Sequence, residues 1–211
     1  DKFFVSSILP DREIEIKGLK SILKQIKNVI KLPKYAHIEG GDVVLDDDHL
    51  FIGDYDQKDY KNQVTARTNK KAIKFVKNHF PSKKIIPLEL IKSPHLPTSN
   101  ALHLDCCFQP VSDNKAVICK HAFKNPFELN YLVSHYGINN IFEISLEEMS
   151  RLYSNFFSID KNIVVSDLRF NRLNKWLTQI GVKVEKVNFS EISKLGGLFR
   201  CSTLPLIRKK I

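Results

Sequence analysis

The sequence predicts an α/β fold assembled as a ring of small repeated modules, not one doubly wound sheet. Three observations carry this. A hairpin, a helix and a strand recur in that order at roughly 45-residue spacing. The helical stretches end at breakers, Pro81, Gly137 and Gly181. Finally, 211 residues with 43% hydrophobic and 27% charged side chains suffice for one sizeable core, so a single domain over 1–211 is expected.

In order, residues 3–9 read as a strand stopped by Pro10, and Asp11 caps a helix whose Ile14, Ile16, Leu19, Ile22, Leu23 and Ile26 recur at helical spacing. Residues 37–39 form a short strand ending at Gly40-Gly41. Two apolar runs, 43–45 and 50–53, flank Asp46-Asp47-Asp48 as a hairpin. A polar loop, 54–63, precedes a helix over 68–80. Residues 85–88 are a strand, and a proline-bounded loop leads to another over 101–108, on which His103, Asp105 and Cys107 share one face. Residues 116–119 complete a hairpin with it, and a helix covers 126–136. The pattern then repeats: strand 141–144, a helix capped at Ser145, a hairpin of 156–159 with 163–166, helix 168–180, strand 182–189 and one turn at 190–192. Leu198-Phe199 reads as a last strand that presents Cys201.

The net charge of +10 comes mainly from lysine, in pairs such as Lys70-Lys71 and Lys83-Lys84. Nucleic-acid readers more often show arginine clusters interleaved with aromatics, so nucleic acid is not the expected partner. No apolar run approaches the roughly 20 residues of a membrane span, which leaves no membrane partner and a cytoplasmic location as the default. The chain opens without methionine in an apolar run, so a segment before Asp1 is expected and the first module is expected to be incomplete. The cysteines at 106, 107, 119 and 201 make no disulfide framework and no C-x-x-C pair. On a strand Cys106 would also point away from His103, so no metal is expected, and Cys106 and Cys107 read as packing.

Chemistry centres on Gly196-Gly197-Leu198-Phe199-Arg200-Cys201-Ser202-Thr203. Cys201 is either a small buried hydrophobe or a nucleophile, and a nucleophile needs partners. Upstream lie His103-Leu104-Asp105 and Glu39-Gly40-Gly41-Asp42. A histidine or a cationic substrate activates a thiolate, and paired carboxylates hold a planar guanidinium by bidentate hydrogen bonds. Acyl transfer would call for backbone donors instead, so the acids point to a cationic substrate. Taken singly, each block has a plainer reading: a turn at 39–42, a core histidine held by Asp105, a solvated Arg67 where a helix begins.

Together, in this order, Glu39-Gly40-Gly41-Asp42, Arg67-Thr68-Asn69, His103-Leu104-Asp105 and Gly196-Gly197 through Cys201-Ser202-Thr203 resemble the guanidino-group modifying family of arginine deiminases, dimethylarginine dimethylaminohydrolases and amidinotransferases. The resemblance implies the pentein fold, a β/α-propeller of five ββαβ-like modules. It also implies a small guanidine such as arginine as substrate, no cofactor, and a covalent amidino-cysteine intermediate. By resemblance Cys201 is the nucleophile, His103 the general acid and then base, Glu39 and Asp105 the guanidinium clamps, Glu39 also steadying His103, and Asp42 and Arg67 further substrate-binding residues. A clamp aspartate that members carry upstream would precede Asp1. The acidic block favours deiminase-like hydrolysis; the alternatives are amidino transfer to an amine and a non-catalytic, ribosome-binding pentein.

Overall fold

Three times the chain forms a hairpin, sends a helix across and returns a strand beside the hairpin's second strand. The structure is a computed structural model describing residues 2–7, 12, 14–63 and 68–205. It divides into two compact units, Asp1–Leu104 and Asp105–Ile211.

In the first unit, β1 (Phe3–Val5) precedes two short helices, α1 (Ile14–Gly18) and α2 (Lys20–Leu23), and pairs in parallel with β2 (Val29–Lys31). The expected continuous helix is thus split. Neither piece buries a residue, and Ile14, Leu19 and Ile22 are exposed, so no packed face holds them together. The expected cap at Asp11 and the far end of the first strand lie outside the described residues. Residues 29–31, which the sequence reading passed over, supply the strand.

The module proper is β3 (Val43–Asp46), β4 (His49–Asp54), α3 (Lys70–His79) and β5 (Lys84–Glu89). β4 is central: it pairs antiparallel with β3 and in parallel with β5, so Phe51 faces Val44 on one side and Ile86 on the other. Flanked twice, it is buried along its whole length, as central strands usually are. The acidic turn bends through Asp47 at φ 48°, a left-handed conformation aspartate tolerates. Ala72, Ile73 and Val76 of α3 close the core over Leu50 and Ile52, with Ala36 and Ile38.

Among the described residues, 37–39 join no strand. Asn69 takes their place as partner. Its N–H donates to the His37 carbonyl (3.0 Å), its Oδ1 accepts from His37 N–H (3.3 Å), and the same oxygen caps α3 by accepting from Ala72 N–H (2.9 Å). A side chain therefore replaces the ladder.

The second unit repeats the module twice. β6 (Phe108–Val111) and β7 (Lys115–Ile118) form a hairpin, α4 (Pro126–Tyr136) follows, and β8 (Ile141–Glu143) returns parallel to β7. α5 (Leu146–Ser150) starts with the expected capping box of Ser145 and Glu148. Then β9 (Phe157–Ser158), β10 (Ile163–Asp167), α6 (Asn171–Gln179) and β11 (Lys183–Val187) repeat the pairing, followed by α7 (Ser190–Ser193). No described helix is long and apolar enough to cross a membrane.

Two further strand expectations fail, at 101–108 and at the cysteine. Residues 104–106 form a 3-10 turn, with β6 starting only at Phe108, and residues 199–202 form a turn, not a strand. The shared face of His103 and Asp105 on one strand is therefore not their geometry.

Burial separates the two helical regions energetically. Leu173→Ala, which empties a fully buried position on α6, should cost about 2–5 kcal/mol of unfolding free energy. Ile14→Ala on α1, where the side chain is 70% exposed, should change it by less than about 0.5 kcal/mol. Urea titrations of the two variants measure the contrast.

Candidate active site

In the first unit, three backbone segments meet around one buried carboxylate. Asp42, 1% exposed, sits in the 3-10 turn Gly40–Asp42 that joins residues 37–39 to β3. Its Oδ2 accepts from the Thr68 hydroxyl at 2.5 Å and its Oδ1 from the Leu104 N–H at 3.0 Å. The Thr68 hydroxyl oxygen in turn accepts from Glu39 N–H at 3.3 Å. Hydrogen bonds to a charged acceptor are among the stronger ones, so residues 39, 42, 68 and 104 are held as one node. Both oxygens of Asp42, which the resemblance makes a substrate-binding residue, thus accept hydrogen bonds from within the protein.

The node sets up its neighbour. His103 precedes the clamped Leu104, and the Lys92 ammonium holds the Ala101 and Leu102 carbonyls, each at 2.7 Å. His103 donates from Nε2 to Glu39 Oε2 at 2.9 Å, with both side chains about nine-tenths buried. Burial pushes the Glu39 carboxyl up, but the hydrogen bond and charge of His103 outweigh it and leave Glu39 below the ordinary range. An ionised Glu39 only accepts, which fixes the proton on Nε2. Gly41 makes room for this ring: a Cβ there would lie 2.7 Å from His103 Cγ.

The second unit holds the rest of the predicted set. Cys201 is exposed, whereas Cys106, Cys107 and Cys119 are buried, and burial raises the Cys119 thiol to about 11. Residues 199–202 make one helical turn, with Ser202 N–H reaching the Leu198 carbonyl at 3.1 Å. The hydroxyls after the nucleophile close it: Ser202 Oγ donates to the Leu198 carbonyl (2.7 Å) and Thr203 Oγ1 to the Phe199 carbonyl (2.8 Å). Gly197 is where the chain comes close, since a Cβ there would lie 2.9 Å from Cys201 Cβ.

Asp105 is 2% exposed. Its backbone carbonyl accepts from Ser154 Oγ (3.1 Å), and the Arg200 Nε lies 3.9 Å from its Oδ2. The turn over 199–202 thus brings the Arg200 guanidinium near the Asp105 carboxylate. Arg67 lies outside the described residues.

The sequence reading missed Thr68, Lys92, Ser154 and Asn155. Thr68 stands in a recognised block but read as a helix start, and the polar Ser154-Asn155 pair among aromatics at Tyr153, Phe156 and Phe157 was the available sign.

Comparison with known proteins adds the family. The family model described as N,N dimethylarginine dimethylhydrolase, eukaryotic, matches residues 8–208. The chain belongs to that family. Similar proteins include the uncharacterized protein YkgA of Bacillus subtilis, 33% identical over 171 residues, which are 81% of this chain and 52% of that one. An arginine deiminase of Oenococcus oeni is 28% identical over 209 residues, 83% of this chain and 48% of that protein. The chain thus spans about half the length of these curated relatives. Among solved structures, the N-terminal domain of ArgZ, a cyanobacterial arginine dihydrolase bound to product, superposes with TM-score 0.78 at 20% identity, over 95% of this chain and 68% of that one. A dimethylarginine dimethylaminohydrolase adduct gives TM-score 0.68 at 19% identity, over 94% and 70%. The fold is that of the penteins.

The Glu39–His103 pair has a pH signature. Because the folded carboxyl is depressed, its contribution to stability is complete above the ordinary glutamate value of about 4.3 and is lost as pH falls through the folded one. The Tm difference between the wild type and Glu39→Gln should therefore shrink on acidification below about pH 4.3. A difference that stays constant to pH 3 would show that His103 does not hold the charge. For Asp42, Asp42→Ala leaves the Leu104 N–H and the Thr68 hydroxyl buried without this acceptor, at about 1–3 kcal/mol each. Urea titration should register that loss, whereas a purely substrate-binding aspartate would leave stability unchanged.

Proposed function

We propose that this chain carries the catalytic residues of a hydrolase acting on the guanidinium of arginine or an N-methylated arginine. The observation that supports it best is the setting of Cys201. The nucleophile is exposed on a turn, yet its own N–H and that of Arg200 are already given to Asn155. In acyl transfer such donors face a developing oxyanion. Here they are spent internally, and a buried carboxylate, Asp105, belongs to the same network, which suits a cation.

The proposed chemistry follows. The Cys201 thiolate attacks the guanidinium carbon and a C–S bond forms. The C–N bond to the departing amine breaks, and His103 protonates that amine. His103 then takes a proton from water, which attacks the thiouronium carbon, and the C–S bond breaks to release citrulline and the thiolate. Asp105 and the second oxygen of Glu39 bind the guanidinium N–H groups, while Glu39 Oε2 keeps the histidine ring in one orientation. Arg67 remains the proposed partner of a substrate carboxylate. The relatives support water as the acceptor: they include an arginine deiminase, and the matching family is one of dimethylarginine hydrolases.

Incubation with arginine and, separately, with asymmetric dimethylarginine, followed by mass analysis, tests the reading. Citrulline with ammonia from the first, or citrulline with dimethylamine from the second, is expected, and Cys201→Ser should abolish either. Ornithine with a new guanidine, formed only when an amine is added, would replace hydrolysis with transfer. Iodoacetamide near neutral pH should label Cys201 ahead of the three buried thiols. Equal labelling of all four would count against a presented nucleophile.

A further inference from the structure

Asn155 has no exposed surface and lies in the connection between α5 and β9. Its backbone carbonyl accepts from Arg200 N–H at 3.3 Å and its Oδ1 from Cys201 N–H at 3.2 Å. Its Nδ2 donates towards Cys106 Sγ at 3.9 Å, and the preceding Ser154 holds the Asp105 carbonyl. One residue therefore reaches two separate turns, the one bearing Cys201 and the one bearing Asp105 and Cys106.

We propose that Asn155 is a positioning residue for the guanidine chemistry: its amide docks the Cys201 turn on the Asp105–Cys106 turn and so fixes the direction of the Cys201 side chain. This rests on Cys201 being the nucleophile. The physical need is plain. An isolated helical turn is marginal in water, and the glycines before this one add chain freedom, so the turn requires an external anchor. Its side-chain amide offers an acceptor for the Cys201 N–H and a donor for the Cys106 thiol on one head. Aspartate keeps the acceptor, loses the donor and adds a negative charge beside the site of the thiolate. Alanine loses both contacts.

The misplacement that follows loss of an anchor typically costs about a hundredfold in rate when the reacting atom moves by about 1 Å. Asn155→Ala should accordingly lower kcat about 10- to 100-fold, with KM within about threefold, on whichever of arginine or asymmetric dimethylarginine the protein turns over. Its second-order rate with iodoacetamide at high pH, where the thiolate is fully formed, should stay within a few-fold of the wild type, because the reagent needs no fixed direction. Asn155→Asp should keep more turnover than Asn155→Ala, and its alkylation profile should move to higher pH, since an anion near Cys201 disfavours the thiolate. Should Asn155→Ala not fold, the near-isosteric Asn155→Asp carries the test through that profile. A folded Asn155→Ala with wild-type kcat, or an Asn155→Asp with an unmoved profile, overturns the proposal. Cys201→Ser separates the two readings. Turnover in that variant defeats the nucleophile assignment, whereas a dead Cys201→Ser beside a fully active Asn155→Ala defeats only the role of Asn155.

Discussion

The carboxylate of Asp42 ties together parts of the first unit that are far apart in sequence. It accepts from a hydroxyl at residue 68 and a backbone N–H at residue 104, and the same hydroxyl reaches back to residue 39. A buried carboxylate is costly unless its lone pairs are used, and here the used lone pairs are what bend the chain. The Leu104 N–H would belong to a ladder if 101–108 were a strand. Bound to Asp42, it turns the chain into a 3-10 segment and leaves His103 facing Glu39.

The second unit solves a related problem with a neutral group. Cys201 sits on a single turn, and Asn155 supplies two of the turn's partners. In both units, then, a buried polar side chain carries the geometry that a sheet would otherwise impose. Such networks are costly when incomplete and rigid when complete, which suits groups that have to stay in one place during a reaction.

The charge of the chain fits the same division of labour. Many of its cations lie at the surface with carboxylate partners, as in Arg12 with Glu15, Arg151 with Glu147 and Lys194 with Glu191. Exposed pairs of this kind contribute little to stability. Glu39 and Asp42 in the first unit and Asp105 in the second are, by contrast, withdrawn from water, as are Asp54 and Asp167.

The sequence alone determined the modular α/β pattern, the hairpins around Asp47 and before α6, the helices over 70–79, 126–136 and 171–179, and the blocks that led to the family. Those features repeat locally, through apolar spacing and turn residues, so they are legible without contacts. Only the tertiary structure decided that Asp42 braces the chain, that 104–106 and 199–202 are turns, that the N-terminal helix is split, and that Asn155 holds Cys201. The reason is physical. Apolar periodicity records which face a residue buries, whereas a hydrogen bond from a side chain to a backbone group 46 or 62 residues away leaves no periodic trace and overrides the local preference for a strand.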